Sequence, residues 1–390
     1  MNIGIITEPL WVGGPFKITL KQAFNLANFG HSVDVIMPEY GFKEAIDIFG
    51  ELFEGFNVAK YSEVPILSQV VHYLSRPYRT FKAENKGEVN IDLAGIILNA
   101  PFLSRLLDKR KCEALICHST LSPLSALGFY AFSRARKVLF VHDVPVHLMM
   151  QIEKVTEVRG IFEALKRFET WVVQRSDILA CTTEKAAGYW RNIFSINPKV
   201  IHPGCDPSQD FPYPKRNYFL SVTRWDIRRN ATFFLDLAER FKASDVGIVL
   251  AGSWPVRGTF ELMKNAILKR GLKEKITLFK NLGEPELTQL YREARCFMAP
   301  TVKGALLMGS LEAAAQGTPI VYPLDSSAWE IFTPGIHGLQ SLSWDLNSYY
   351  ECTSKFEDED VVRKMGFSIW KKSQECTWSM RTKELERLIC

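Results

Sequence analysis

Over the first two hundred residues, short apolar runs alternate with longer stretches whose apolar positions recur at helical spacing. The runs NIGIIT, HSVDVIMP, ALICHS, KVLFVHD, DILACTT and KVIHPG are of strand length and near-continuously apolar, which predicts parallel strands buried on both faces. FKITLKQAFNLANFG, between the first two, carries the helical period. Such alternation builds a doubly wound α/β unit, expected to end near residue 200.

The pattern then stops. HPGCDPSQDFPYPKRN, residues 202–217, holds four prolines and neither period, and is read as an interdomain linker. Beyond it YFLSVTR, GIVLAGS, ITLFKN, CFMAPT and PIVYPL read as strands, and NATFFLDLAERFKA, GTFELMKNAILKRGL, EPELTQLYREAR and GSLEAAAQG as helices. The expected fold class is α/β: two Rossmann-like doubly wound units facing each other across a cleft, where ligands bind. The segment 43–92 fits no pattern.

Composition agrees with this division. At 390 residues, 47% hydrophobic and 23% charged, the chain exceeds one ordinary core. Its eight cysteines show no paired metal spacing and mostly sit in apolar surroundings, so reduced, buried thiols are expected. The opening MNIGIITEPLWVGG has no basic run and contains Glu8, and LAGIILNAPFL is interrupted by Asn99 and Pro101, so neither a leader nor a membrane span is expected. A cytoplasmic protein follows as the expectation. The net charge of +5 is too weak for a nucleic-acid module. SRPYRTFKAENK and LLDKRK concentrate cations in the first half, either as solvated faces or for peripheral contact with an acidic membrane surface at its inner face.

Candidate chemistry gathers in the second half. Arg224 ends the strand YFLSVTR, and Arg228 and Arg229 follow in the next turn. Guanidiniums at the C-terminal end of a parallel strand suit a diphosphate; the alternative is a salt-bridge cluster with Asp226. Around GSLEAAAQG, the small residues Gly304, Ala305, Gly309 and Ser310 permit close backbone approach, and the helix N-terminus offers N–H groups to an anion. Glu312, expected in the first turn, either accepts hydrogen bonds from ribose hydroxyls or only complements the helix dipole. Gly13 and Gly14 form either a tight turn or a ligand loop. His118 and His142 end two strands, where a lone His is more often structural than catalytic. Trp225 and Trp329 are expected to be packing residues.

SVTRWDIRRN, GSLEAAAQGTPIVYP and SSAWEIFTPGIHGL, in this order and spacing over about 200–340, resemble the C-terminal domain of retaining glycosyltransferases of GT-B fold, in glycosyltransferase family 4, the glycosyl transferases group 1. The resemblance implies domains at 1–203 and 204–371, with a C-terminal helix at about 372–390 crossing back to the first, and hinges near 202–217 and 365–378. It implies a nucleoside diphosphate sugar as donor substrate, no separate cofactor and no metal, because Arg224 and Arg229 would neutralise the leaving diphosphate. Arg229 stands where a Lys is usual. Glu312 matches the Glu that holds the ribose, Gly13 and Gly14 the donor loop, and His142 the His beside the transferring sugar. HPGCD replaces the family's PNGVD, and TLFKNLGEPELTQLY corresponds to the stretch whose backbone contacts the base.

One departure stands out. Where the family has EGFGLPxLEA, this chain has GALLMGSLEA, so Gly304, beside Lys303, replaces the Glu that reads the transferred sugar. Ala305, Met308 and Gly309 complete the donor loop. Losing such a contact costs about 1 to 3 kcal/mol, enough to redirect specificity. Either the donor lacks that hydroxyl or bears a carboxylate that Lys303 meets, or the chain is a non-catalytic subunit of a glycosyltransferase complex. A nucleotide-sugar epimerase would need further acid and base groups. The acceptor, whether a glycan, a glycolipid or lipid-linked saccharide or a small molecule, is not legible.

Overall fold

A computed structural model describes residues 1–7, 14–37, 46, 50–60, 80–83, 87–90, 93–120, 122–142, 144–148, 161–226, 229–256, 258–300 and 308–390. The chain divides into two compact units, Met1–Pro203 with Trp378–Cys390, and Gly204–Thr377.

The first unit opens with β1 (Asn2–Ile6), α1 (Gly14–Asn28), β2 (Ser32–Met37) and β3 (Asn57–Lys60). A small antiparallel hairpin, β4 (Thr80–Ala83) and β5 (Gly87–Asn90), and α2 (Leu93–Lys109) lead to β6 (Ala114–His118). Then come α3 (Leu127–Phe132), β7 (Arg136–Val141), α4 (Ile161–Arg175), β8 (Ile178–Cys181), α5 (Glu184–Phe194) and β9 (Lys199–Val200). The seven strands of the main sheet run in the order β3-β2-β1-β6-β7-β8-β9, paired in parallel. After moving outward from β1, the chain returns to place β6 on its other side. The crevice beyond the C-terminal ends of β1 and β6 is therefore a topological switch point, where open α/β sheets bind ligands.

The second unit repeats the plan. β10 (Tyr218–Val222), α6 (Phe233–Arg240), β11 (Gly247–Gly252), α7 (Thr259–Lys269), β12 (Ile276–Lys280), α8 (Glu284–Glu293) and β13 (Cys296–Met298) alternate as the periodicity predicts. α9 (Met308–Ala315), β14 (Ile320–Pro323), β15 (Gly338–Ser341), α10 (Leu346–Ser354) and α11 (Glu359–Ser373) follow. The order β12-β11-β10-β13-β14-β15 puts the second switch point between β10 and β13. α12 (Trp378–Ile389) packs on α1 in the first unit, where Glu386 pairs with His31 at 2.7 Å.

Cores form where the apolar runs predict them. Ile6, Leu115, Leu139 and Trp190 share one cluster in the first unit, and Phe219, Phe234, Phe241 and Leu250 another in the second. Each such side chain contributes about 1.5 to 3 kcal/mol on burial. Six cysteines are buried, Cys352 is half-buried and Cys390 exposed, all as free thiols.

Two expectations need correction, and one strand was missed. The proline-rich stretch is not a loose linker: its residues from 204 onward belong to the second unit, with Cys205 buried and its N–H bonded to Cys376 O. Lys215 is buried there, its ammonium donating to Arg292 O, Gln316 O and Thr318 Oγ1. Trp329 is 53% exposed on a short 3-10 turn and is no packing residue. β15, of sequence GLQS, escaped the periodic reading because it is short and its two middle residues are only half-buried.

Candidate functional site

In the second unit the loops after β10, β11 and β13 converge on the sheet's C-terminal edge. Gly252 ends β11 at φ +130°, and a Cβ there would lie 1.8 Å from Thr223 O, so only glycine allows the two loops to approach. Trp225 anchors the first loop: it is buried, stacks on Trp254 with centroids 5.5 Å apart, and donates its indole N–H to Ala251 O at 2.9 Å. On either side stand the half-buried Arg224 and Arg229. The turn is closed by Arg229 N–H to Asp226 O at 2.9 Å. The Arg229 guanidinium donates through Nη1 to Pro300 O at 3.0 Å, tying the loop after β10 to the loop after β13 across the switch point.

Pro300 leads through residues 301–307 to α9, which begins at Met308. Lys303, Gly304 and Ala305 lie outside the described residues, as do Gly13 and Arg228. Glu312 is the fifth residue of α9, not a first-turn residue as expected, because the helix starts before Gly309. A role limited to complementing the helix dipole fits it less well there. Glu312 is half-buried, and its Oε2 accepts a hydrogen bond from Tyr291 at 2.9 Å. Tyr291 is buried, and burial together with the neighbouring Glu312 carboxylate raises its hydroxyl well above the ordinary tyrosine range, so it stays a donor. Nothing in its helical pattern marked Tyr291 as a partner of Glu312. Gly309 leaves room for the same pair: a Cβ would meet Phe297 at 2.8 Å and the Tyr291 hydroxyl at 3.0 Å. Its smallness serves packing inside the unit.

The first unit presents His118 and His142 at its own C-terminal edge. Parallel register pairs His118 with Phe140, two residues before His142. The imidazoles stack with centroids 5.2 Å apart and share one hydrogen bond, His118 Nδ1 to His142 Nε2, at 3.0 Å. His118 is fully buried, and burial, then the neighbouring His142, lowers its pKa well below the ordinary histidine value. Burial likewise lowers His142 to about 3, so both rings are neutral at physiological pH. The His142 carbonyl accepts from Thr182 Oγ1 at 3.0 Å.

Glu169, absent from the sequence reading, fixes the loops around this pair. It is fully buried on α4 and accepts from Thr120 Oγ1 at 2.5 Å, Val146 N–H at 2.6 Å, His147 N–H at 3.2 Å and the His147 ring. It thereby joins the loop after β6 to the loop after β7. Gly14 is the first residue of α1, after the β1 loop.

Among the described residues, one group of metal-capable side chains, His31, Glu386 and Cys390, lies close together in the first unit, and it includes none of the predicted site residues. Asp358–Glu359–Asp360 forms an Asp-x-Asp pattern, but Asp358 caps α11 by accepting from Asp360 N–H and Val361 N–H, and Asp360 pairs with Arg363. Among the described residues no helix is long and apolar enough to cross a membrane.

Known proteins place this arrangement. Three solved structures share its fold across nearly the whole chain. Sucrose-phosphate synthase from Thermosynechococcus elongatus superposes with a TM-score of 0.75 at 15% identity, covering 99% of this chain and 98% of its own. A glycosyltransferase from Rickettsia africae gives 0.74 at 12%, covering 100% and 97%. Anabaena HepE in complex with UDP gives 0.73 at 12%, covering 100% and 99%. These likenesses identify the GT-B fold. No curated protein sequence is a significant match. Residues 206–341 match the family described as Glycosyl transferases group 1, and residues 12–209 match Glycosyltransferase Family 4, so the chain belongs to glycosyltransferase family 4 and is a glycosyltransferase.

Proposed function

We propose that the donor is a nucleoside diphosphate sugar, bound at the switch point of the second unit, and that transfer proceeds with retention to a glycan, glycolipid or small-molecule acceptor. The observation that carries this reading is the pairing of two anchored groups: Arg229, tied to Pro300, and Glu312, held by Tyr291. Guanidiniums suit the diphosphate, and an oriented carboxylate suits a ribose diol. HepE, with the same fold, is known in complex with UDP and with UDP-glucose, which supports a uridine donor as the first to test.

In this reading Arg224, Arg229 and the start of α9 stabilise charge as the diphosphate departs, the kind of preorganised electrostatics that gives the largest catalytic term. No cofactor beyond the donor is needed, and the two arginines take the place of a metal. By the family resemblance, Lys303 and Gly304 select the transferred sugar, and Gly13, Gly14 and His142 of the first unit carry the donor-loop and sugar-contact roles. Peripheral contact with a membrane face through the basic first half fits a lipid-linked acceptor. Titration calorimetry with UDP, ADP and GDP tests the reading: one nucleotide binds the wild type, and Arg229→Met abolishes binding. Equal affinity in the variant would count against it.

A further inference from the structure

α8 and α9 end at the same buried point in the second unit, and one lysine serves both ends. α9 closes on Gly317 at φ +62°, where Gly317 and Thr318 donate their N–H groups to Ala314 O and Ala313 O at 3.0 and 2.9 Å. That cap leaves the carbonyls of Ala315 and Gln316 to be met from outside the helix. Ser208 N–H meets Ala315 O at 2.9 Å, and the buried Lys215 Nζ meets Gln316 O at 2.9 Å. The same Nζ donates to Arg292 O, in the last turn of α8, at 2.6 Å and to Thr318 Oγ1 at 3.1 Å. Three acceptors engage all three hydrogens of an ammonium. Thr318 Oγ1 in turn donates to Tyr291 O. A cation suits this point, because the negative ends of two helix dipoles meet there. Burial, and then the neighbouring Arg292, lower the Lys215 pKa to about 7, so the ammonium is fully formed only in mild acid.

The two helices held here are those that carry Tyr291 and Glu312. Arg292 directly follows Tyr291, and Gln316 lies one helical turn after Glu312, to whose carbonyl its N–H donates at 3.3 Å. We infer that Lys215 is a positioning residue of the donor site: by joining the C-terminal ends of α8 and α9, it brings the Tyr291 hydroxyl within reach of the Glu312 carboxylate. It acts through that pair and not on the nucleotide itself. Its link to nucleotide binding rests on the donor proposed above; its hold on the Tyr291–Glu312 bond does not.

Spectra at pH 6 of protein labelled with 13C at tyrosine Cζ, with the Tyr291 signal assigned by its loss in Tyr291→Phe, test that hold. Lys215→Met, a side chain of similar reach without the ammonium, should move the Tyr291 signal in the direction that Glu312→Gln moves it. Thr318→Val, which removes one of the three acceptors and the bond to Tyr291 O, should move it less. An unmoved Tyr291 signal in Lys215→Met overturns the inference. If Lys215→Met fails to fold, Thr318→Val decides, and an unmoved signal there overturns it equally. Calorimetry with UDP, ADP and GDP then reads the link to the donor site. Affinity for the nucleotide that binds the wild type should fall roughly five- to tenfold in Lys215→Met, and adding Tyr291→Phe should lower it no further. A lysine that served stability alone would lower the urea midpoint at constant affinity, and independent effects would multiply; either result removes Lys215 from the donor site. If the wild type binds none of the three nucleotides, the proposed donor fails while the spectra still settle what Lys215 holds.

Discussion

The Tyr291 hydroxyl reaches from α8 to α9 to donate to Glu312 Oε2 at 2.9 Å, so a buried tyrosine sets the direction of the one carboxylate on α9. Glu312→Gln keeps the shape and removes the charge. Charge-assisted bonds contribute about 1.5 to 3 kcal/mol, so nucleoside diphosphate affinity should fall about 10- to 100-fold by calorimetry. Tyr291→Phe should lower it by a smaller factor, through lost orientation alone.

Gly309→Ala tests the packing beneath that pair. The new methyl meets Phe297 closer than real side chains approach and crowds the Tyr291 hydroxyl, and both belong to a filled core. Overpacking of this kind costs about 1 to 3 kcal/mol, measurable as a lower urea midpoint at unchanged slope.

Acid should weaken the first unit through the histidine pair. His142 takes a proton near 6.5 when unfolded but only near 3 when folded, and His118 is shifted in the same direction. Between those values the unfolded chain binds more protons, so stability falls as pH drops from 6.5 towards 3. Urea midpoints measured from pH 7 to 4.5 should decline, and less steeply in His118→Phe, which lacks one of the two groups.

The thiols should separate by accessibility. With a chromogenic disulfide reagent the exposed Cys390 reacts first and Cys352 slowly, while the six buried cysteines react only in denaturant, giving eight in total. Burial pushes the Cys112 thiol up to about 12, which slows it further.

Both sheets were largely legible because a parallel strand buried on two faces reads as an unbroken apolar run, as in ALICH and KVLFV. GLQS and NVAK lacked that signal and were missed. Arg224, Arg229 and Glu312 stood out as candidates because charge at a strand end or near a helix start is visible in sequence. Their supports were not: Tyr291 lies 21 residues from Glu312 and His118 lies 24 from His142, and only the tertiary register brings each pair together. Glu169 carried no sequence signal, although it is fully buried. The start of α9 was misjudged by a single residue, which moved Glu312 out of the first turn.

Cleavage of a nucleotide sugar tests most directly for a donor site at the second switch point. The protein would be incubated with a panel of nucleoside diphosphate sugars, UDP-glucose and deoxy and uronic donors included, and released nucleoside diphosphate followed by mass spectrometry. One donor should be consumed slowly without acceptor, and Arg229→Met should reduce that rate by at least about 100-fold. Consumption of no donor, with no nucleoside diphosphate bound at millimolar concentration, would contradict the donor site and point to a non-catalytic subunit.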